Sequence, residues 1–189
     1  MVKTVIWGLA FMTLLSQLFL LKIAVFYVLE RLKVMRIFTI YKKYLTPYAL
    51  YLAFTVTVTA TLGSLFFSEV AKFQPCVLCW YQRILTYPQP ILLLVAFIRR
   101  ETIIKPYLTT LSIVGACFSA YHYALQIWPK NLLAPCSDET VSCIKATFYF
   151  GYISIPMMAL TAFILSIVLL TFVPKQNPSH NKSAKRIVN

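Results

Sequence analysis

Residues 146–174 read ATFYFGYISIPMMALTAFILSIVLLTFVP, without one Asp, Glu, Lys or Arg. About 20 apolar residues suffice to carry a helix across the hydrocarbon core of a bilayer, so this stretch is expected to span a membrane. Outward from it, four more uncharged runs cover residues 4–21, 44–68, 84–98 and 106–129. What lies between them is too short to bury a soluble core. Of the 189 residues 60% are hydrophobic and 12% charged, against roughly 25% charged in a soluble domain. These values exclude a cytosolic enzyme, a secreted disulfide scaffold and a disordered basic protein. Backbone polar groups in lipid must be paired within the protein, and the alternation of a barrel strand is missing. The expected fold is all-α and membrane-integral. It is a four-helix transmembrane bundle, with helices near 47–68, 80–98, 106–129 and 147–173, plus an extra N-terminal transmembrane helix.

The net charge of +13 invites a nucleic-acid reading until its positions are read. Arg31, Lys33, Arg36, Lys42 and Lys43 lie between the first two apolar runs, and Arg99, Arg100 and Lys105 between the third and fourth. Lys175, Lys182, Lys185 and Arg186 follow the last run. The segments holding Glu69, Asp138 and Glu139 alternate with these clusters and are poor in basic residues. The positive-inside rule puts the basic clusters in the cytoplasm and residues 68–80 and 130–146 outside. The charge therefore orients helices, and no nucleic-acid partner is expected; the lipid bilayer is the partner.

Three parts are expected: a hydrophobic helix and basic cytoplasmic linker at 1–40, a membrane domain at 41–174, and a basic disordered cytoplasmic tail at 175–189. Within the first part, Val5 to Leu21 is long enough to span, although Lys22 interrupts the run. A helix lying along the inner surface, from Lys22 to Lys43, is the alternative. A cleaved signal peptide is disfavoured, because no small-residue cleavage site follows. Met35 is a second candidate start. Pro88 and Pro90 fall inside the second span and are expected to bend it. Trp80, Tyr81, Trp128, Tyr149 and Tyr152 gather near predicted helix ends, as interfacial anchors do.

Four of the five cysteines fall on the predicted external side, where disulfides persist. Cys76 and Cys79 form a Pro-Cys-x-x-Cys motif at the start of the second core helix, and Cys136 and Cys143 bracket a polar stretch in the second external loop. Three readings are open for them: structural staples, a zinc site, or redox chemistry. Zinc is disfavoured because the second spacing is wide and neither loop holds a His. The redox reading rests on the helix N-terminus, whose free N–H groups stabilise a thiolate. Cys76, Cys79 and Arg83 follow the spacing i, i+3, i+7 and share a helix face, so Arg83 is expected to favour the Cys79 thiolate. Arg83 and His122 each lie about 10 Å below the same membrane face. Snorkelling and a helix–helix hydrogen bond are their ordinary explanations. Placed level with a reactive cysteine pair, they instead suit the carbonyl oxygens of a small oxidant. Cys117 sits in a small-residue run and is expected to be a packed thiol. Threonines 55, 57, 59 and 61 are expected to bond to their own helix.

The stretch Phe73-Gln74-Pro75-Cys76-Val77-Leu78-Cys79-Trp80-Tyr81-Gln82-Arg83 resembles the signature of the DsbB/BdbC family of membrane disulfide-bond formation proteins. The run His122-Tyr123-Ala124-Leu125-Gln126 and the pair Cys136/Cys143 follow in the family's order. The resemblance covers residues 44–174 and points to the short-loop BdbC-like branch, since the second pair is closely spaced. It implies a thiol:quinone oxidoreductase of the bacterial cytoplasmic (inner) membrane, multi-pass. Such an enzyme reoxidises an extracytoplasmic thioredoxin-fold thiol oxidase of the DsbA/BdbD type and passes electrons to a membrane quinone, menaquinone or ubiquinone. The resemblance also implies redox-active disulfides Cys76–Cys79 and Cys136–Cys143, with Cys136 receiving the partner and Cys143 exchanging with Cys76. Cys79 is then the thiolate facing the quinone, with Arg83 and His122 as quinone-binding residues and no metal. Nothing in the resemblance accounts for residues 1–40.

Two rivals remain at this stage. A vitamin K epoxide reductase-like enzyme places its shuttle pair before the Cys-x-x-Cys, whereas here it follows. A non-enzymatic assembly factor with structural disulfides is the rival from another class.

Overall fold

The computed structural model describes residues 2–33, 37–99, 102–128 and 148–174. These residues form seven α-helices: α1 (Val2–Arg31), α2 (Ile37–Leu45), α3 (Ala49–Leu65), α4 (Val77–Thr86), α5 (Pro88–Arg99), α6 (Lys105–Ile127) and α7 (Ile155–Phe172). No strand occurs among the described residues; Tyr149 and Ile153 form one isolated bridge. Among the described residues, four helical stretches are long and apolar enough to cross a membrane: Val2–Arg31, Phe38–Val70, Lys105–Ile127 and Ile155–Phe172. The protein is an all-α integral membrane protein.

Burial does not sort polar from apolar residues as it does in a water-soluble bundle. Gln89, Ser112 and Ser119 are at most 1% exposed, while Ile91 and Ile98 are 65% and 75% exposed. Lipid solvates apolar side chains as well as a protein core does, so polar and small residues can share the helix interface with buried leucines while Ile91 and Ile98 face outward. Thr57 and Thr161 return their hydroxyls to carbonyls of their own helices at 2.9 Å, which removes the cost of an unpaired group in lipid. Thr55 does the same, as expected. The hydroxyl of Thr61 is buried without a partner, so the expectation holds for two of those threonines and fails for Thr61.

The core lies where α3, α5, α6 and α7 meet, around Ala53, Leu93, Leu108, Leu165, Leu169 and Leu170. Close approach of α6 and α7 depends on Gly115: a Cβ there would lie 2.4 Å from the Phe163 ring. Cys117, expected inside this small-residue run, is exposed. Gly115, Ser112 and Ser119 already occupy the inward face of α6, and Cys117 falls between them on the other side.

The second span is two helices. Pro88 and Pro90 cannot donate to the helix ladder, and α4 ends at Thr86, capped by Tyr87, before α5 starts at Pro88. The Gln89 amide donates to Leu85 O at 3.0 Å, and Tyr87 Oη and Ser64 Oγ lie 3.2 Å apart, which ties the break to α3. The first core helix loosens into a π-helical turn at Phe66–Val70 and ends at Lys72, whose φ is +56°. The fourth span begins later than the expected residue 147. Tyr149 and Ile153 exchange two backbone bonds around Phe150 and Gly151, both at positive φ. The helix starts only after extended Ser154, with Pro156 in its first turn.

α1 runs unbroken through Lys22, which is exposed and so costs the helix nothing. Its thirty residues reach about 45 Å at 1.5 Å per residue. Gln17 fixes it to the bundle: its amide nitrogen donates to Thr161 Oγ1 at 3.1 Å and its oxygen accepts from Tyr152 Oη at 2.6 Å. The α2 face that carries Phe38, Tyr41 and Leu45 packs beside Ile23 and Phe172. The predicted tail at 175–189 lies outside the described residues.

Candidate redox site at the start of helix α4

Pro75 and Cys76 leave the chain extended, and Cys76 (ψ 172°) is the cap residue from which α4 starts. The first N–H groups of α4 therefore surround the Cys76 side chain. One turn on, Cys79 Sγ lies 3.3 Å from Cys76 Sγ; both are free thiols. Cys76 is 5% exposed and packs with Leu78 and Leu125.

His122 comes from α6 and is 2% exposed. Its Nε2 is 3.8 Å from Cys76 Sγ and its Nδ1 is 3.1 Å from Gln82 Nε2. With the Gln82 amide donating to Nδ1, the ring carries its proton on Nε2 and donates it to the Cys76 sulfur. Cys76 precedes the membrane-spanning helix, and its thiol is held well below the ordinary range. The hydrogen bond from the Cys79 thiol is the main cause, and His122 adds to it.

Arg83 lies one turn beyond Cys79 and reaches sideways. It donates to Ser64 O of α3 at 3.3 Å, and its guanidinium lies 5.5 Å from the Trp80 ring centroid. Arg83, Gln82 and Cys79 open on a cavity of about 330 Å³ between α1, α3, α4 and α7. Cys76 and His122 are not among its lining residues. The expected grouping therefore divides. Cys79 and Arg83 face the cavity, while His122 stands behind the cysteine pair against Cys76.

Sequence reasoning missed three features. Gln82 is 6% exposed and holds His122; a Gln one turn after Cys79 at membrane depth was the available signal. The π-helical turn sets Phe67 and Phe73, stacked at 6.1 Å, in the cavity wall. The third is the meeting of Cys76, Cys79 and His122, whose ligand atoms lie within 4.8 Å of one another. Zinc was disfavoured on loop composition, and the His is supplied by a helix. Cys136 and Cys143 lie outside the described residues, so the second pair is not placed relative to the first.

A helical membrane protein with a vicinal dithiol at a helix start, backed by a buried His, belongs to the class of membrane thiol–disulfide proteins. Comparison with known proteins makes this specific. The family model for "Disulfide bond formation protein DsbB" matches residues 46–173, and the chain belongs to that family. It is 40% identical over 137 residues to "Probable disulfide formation protein C 1" of Bacillus cereus (strain ATCC 10987 / NRS 248), covering 69% of this chain and 94% of that protein. It is 43% identical over 122 residues to "Disulfide bond formation protein C" of Bacillus subtilis (strain 168), covering 64% and 88%. A "Probable disulfide formation protein" of Chlamydia pneumoniae is 35% identical over 132 residues, covering 70% and 96%. No solved structure matches. Family membership makes the protein a membrane disulfide oxidoreductase and disfavours the assembly-factor rival.

Proposed function

We propose that the protein reoxidises a thioredoxin-fold thiol oxidase outside the bacterial cytoplasmic membrane and passes the electrons to a membrane quinone. The observation that carries this reading is the cavity onto which Cys79 and Arg83 open. Its donor set fits a quinone, with a cationic hydrogen-bond donor and a thiol at one end and apolar helix faces along the rest. A quinone held there accepts two electrons and two protons.

The chain's own steps are thiol–disulfide exchanges, each breaking one S–S bond and forming one. A partner thiolate attacks Cys136 and releases Cys143. The partner's second thiol then resolves the mixed disulfide, leaving Cys136 and Cys143 reduced. Cys143 next attacks Cys76, and Cys79 leaves as a thiolate on the cavity side. Cys136 then attacks Cys143, which closes the loop disulfide and frees Cys76. The electron pair departs from Cys76 and Cys79 as their sulfurs rejoin. Arg83 stabilises negative charge developing on an acceptor oxygen. His122 keeps Cys76 ready to close the bond and moves its proton at Nε2, a role different from the carbonyl contact expected of it.

Trapping tests the reading against structural staples. A thioredoxin-fold oxidase whose second active cysteine is replaced by Ser should accumulate as a mixed disulfide on Cys136, and Cys136→Ser should abolish the adduct. Staples would give no adduct with either protein.

A further inference from the structure

The family match begins at residue 46, so α1 lies outside it. The cavity nevertheless counts Leu9, Met12, Thr13 and Ser16 of α1 among its lining residues. Two contacts place α1 across the gap between α3 and α7. Leu9 lies where a Cβ on Gly63 of α3 would be 3.4 Å away, and Gln17 bonds Thr161 of α7. Trp7 meets Tyr149 and Phe150 edge-on at 5.7 and 4.9 Å, just ahead of α7. A membrane helix that only anchored the chain would not need both ends of a Gln amide paired to the bundle, nor a buried Thr13, 8% exposed, turned to the cavity. Along α7 the lining runs from Ile155 to Ser166, about 16 Å at 1.5 Å per residue. That is deep enough for a ring beside Cys79 and Arg83 with a lipophilic tail below it.

Resting on the quinone reading above, we propose that α1 is a working wall of the acceptor cavity. It closes the opening between α3 and α7, and Leu9, Thr13 and Ser16 set how tightly a long-tailed quinone is held.

The test uses the full chain in lipid nanodiscs with a photoreactive azidoquinone bearing a short isoprenoid tail. We expect labelling of α1 peptides, competed by unlabelled quinone. Thr13→Trp and Ser16→Trp, which fill the cavity, should lose that labelling and raise the quinone KM about tenfold or more. Leu18→Trp, on the lipid-facing side of α1 and 54% exposed, should match wild type in both. Labelling confined to α3, α4 and α7, with KM unchanged in the Thr13 and Ser16 variants, overturns the role of α1 and leaves the quinone reading standing. Absence of both labelling and quinone reduction in wild type overturns the quinone reading and this inference together.

Discussion

Two cysteines one helical turn apart have been given different neighbours. Cys76 is enclosed at the cap of α4 with His122 Nε2 beside it, and Cys79 faces the cavity with Arg83. An acid whose pKa is lowered keeps its anion as the pH falls. In the reduced protein the Cys76 thiolate, followed by its ultraviolet absorbance, should therefore persist well below the ordinary thiol midpoint of about 8.5. His122→Ala should move that midpoint upward, and Gln82→Leu should move it the same way by releasing the ring. Equal midpoints in all three proteins would contradict the role given to His122. Arg83 contributes through position and charge. Lys keeps the charge but loses the planar fork that reaches Ser64 O. Arg83→Lys should raise the quinone KM about tenfold, on the order of 1.4 kcal/mol, while exchange with the partner stays near wild type. A KM shift no larger than that of Leu18→Trp would remove Arg83 from the acceptor site.

At the scale of elements, helix packing depends on a few small residues. Gly115 lets α6 lie against the Phe163 ring, itself 3% exposed. Gly115→Ala should lower the unfolding temperature in detergent, with a cost of about 1–3 kcal/mol for overpacking; an unchanged temperature would contradict the packing described. The helix pattern was legible in the sequence because charge is excluded from spans so strictly. The ends of α6 and a distortion of the second span at Pro88 followed from charged and proline residues alone, although a bend was expected and two helices are found. The start of α7 was not legible. Residues 148–154 are as free of charge as the helix after them, and the turn at Phe150–Gly151 is a matter of backbone angles. The site shows the same division. Cys76, Cys79 and Arg83 are local in sequence and were readable as a group. His122 was singled out by depth, but its contact with Cys76, held by Gln82 on the other ring nitrogen, depends on how α4 rotates against α6, which spacing does not encode. Cys117 failed for that reason too: a small-residue run marks an interface without saying which of its residues point inward.

Among the described residues the molecule is a family domain with two more helices, α1 and α2, ahead of it. Charge placement is expected to orient the helices, buried leucines with small and polar residues pack the bundle, and the cavity between α1, α3, α4 and α7 lies beside Cys79, where the proposed function puts an electron acceptor. Membership in the DsbB family rests on the domain alone. The proposed route of electrons rests on the cavity and the Cys76/Cys79 pair together. The central claim is that electrons from an external dithiol reach a membrane quinone through Cys76 and Cys79. The direct measurement is steady-state quinone reduction by the purified full-length protein, with a reduced thioredoxin-fold oxidase as donor. Wild type should turn over and Cys79→Ser should show none, while still forming the mixed disulfide at Cys136. Quinone reduction by Cys79→Ser at the wild-type rate would contradict the account.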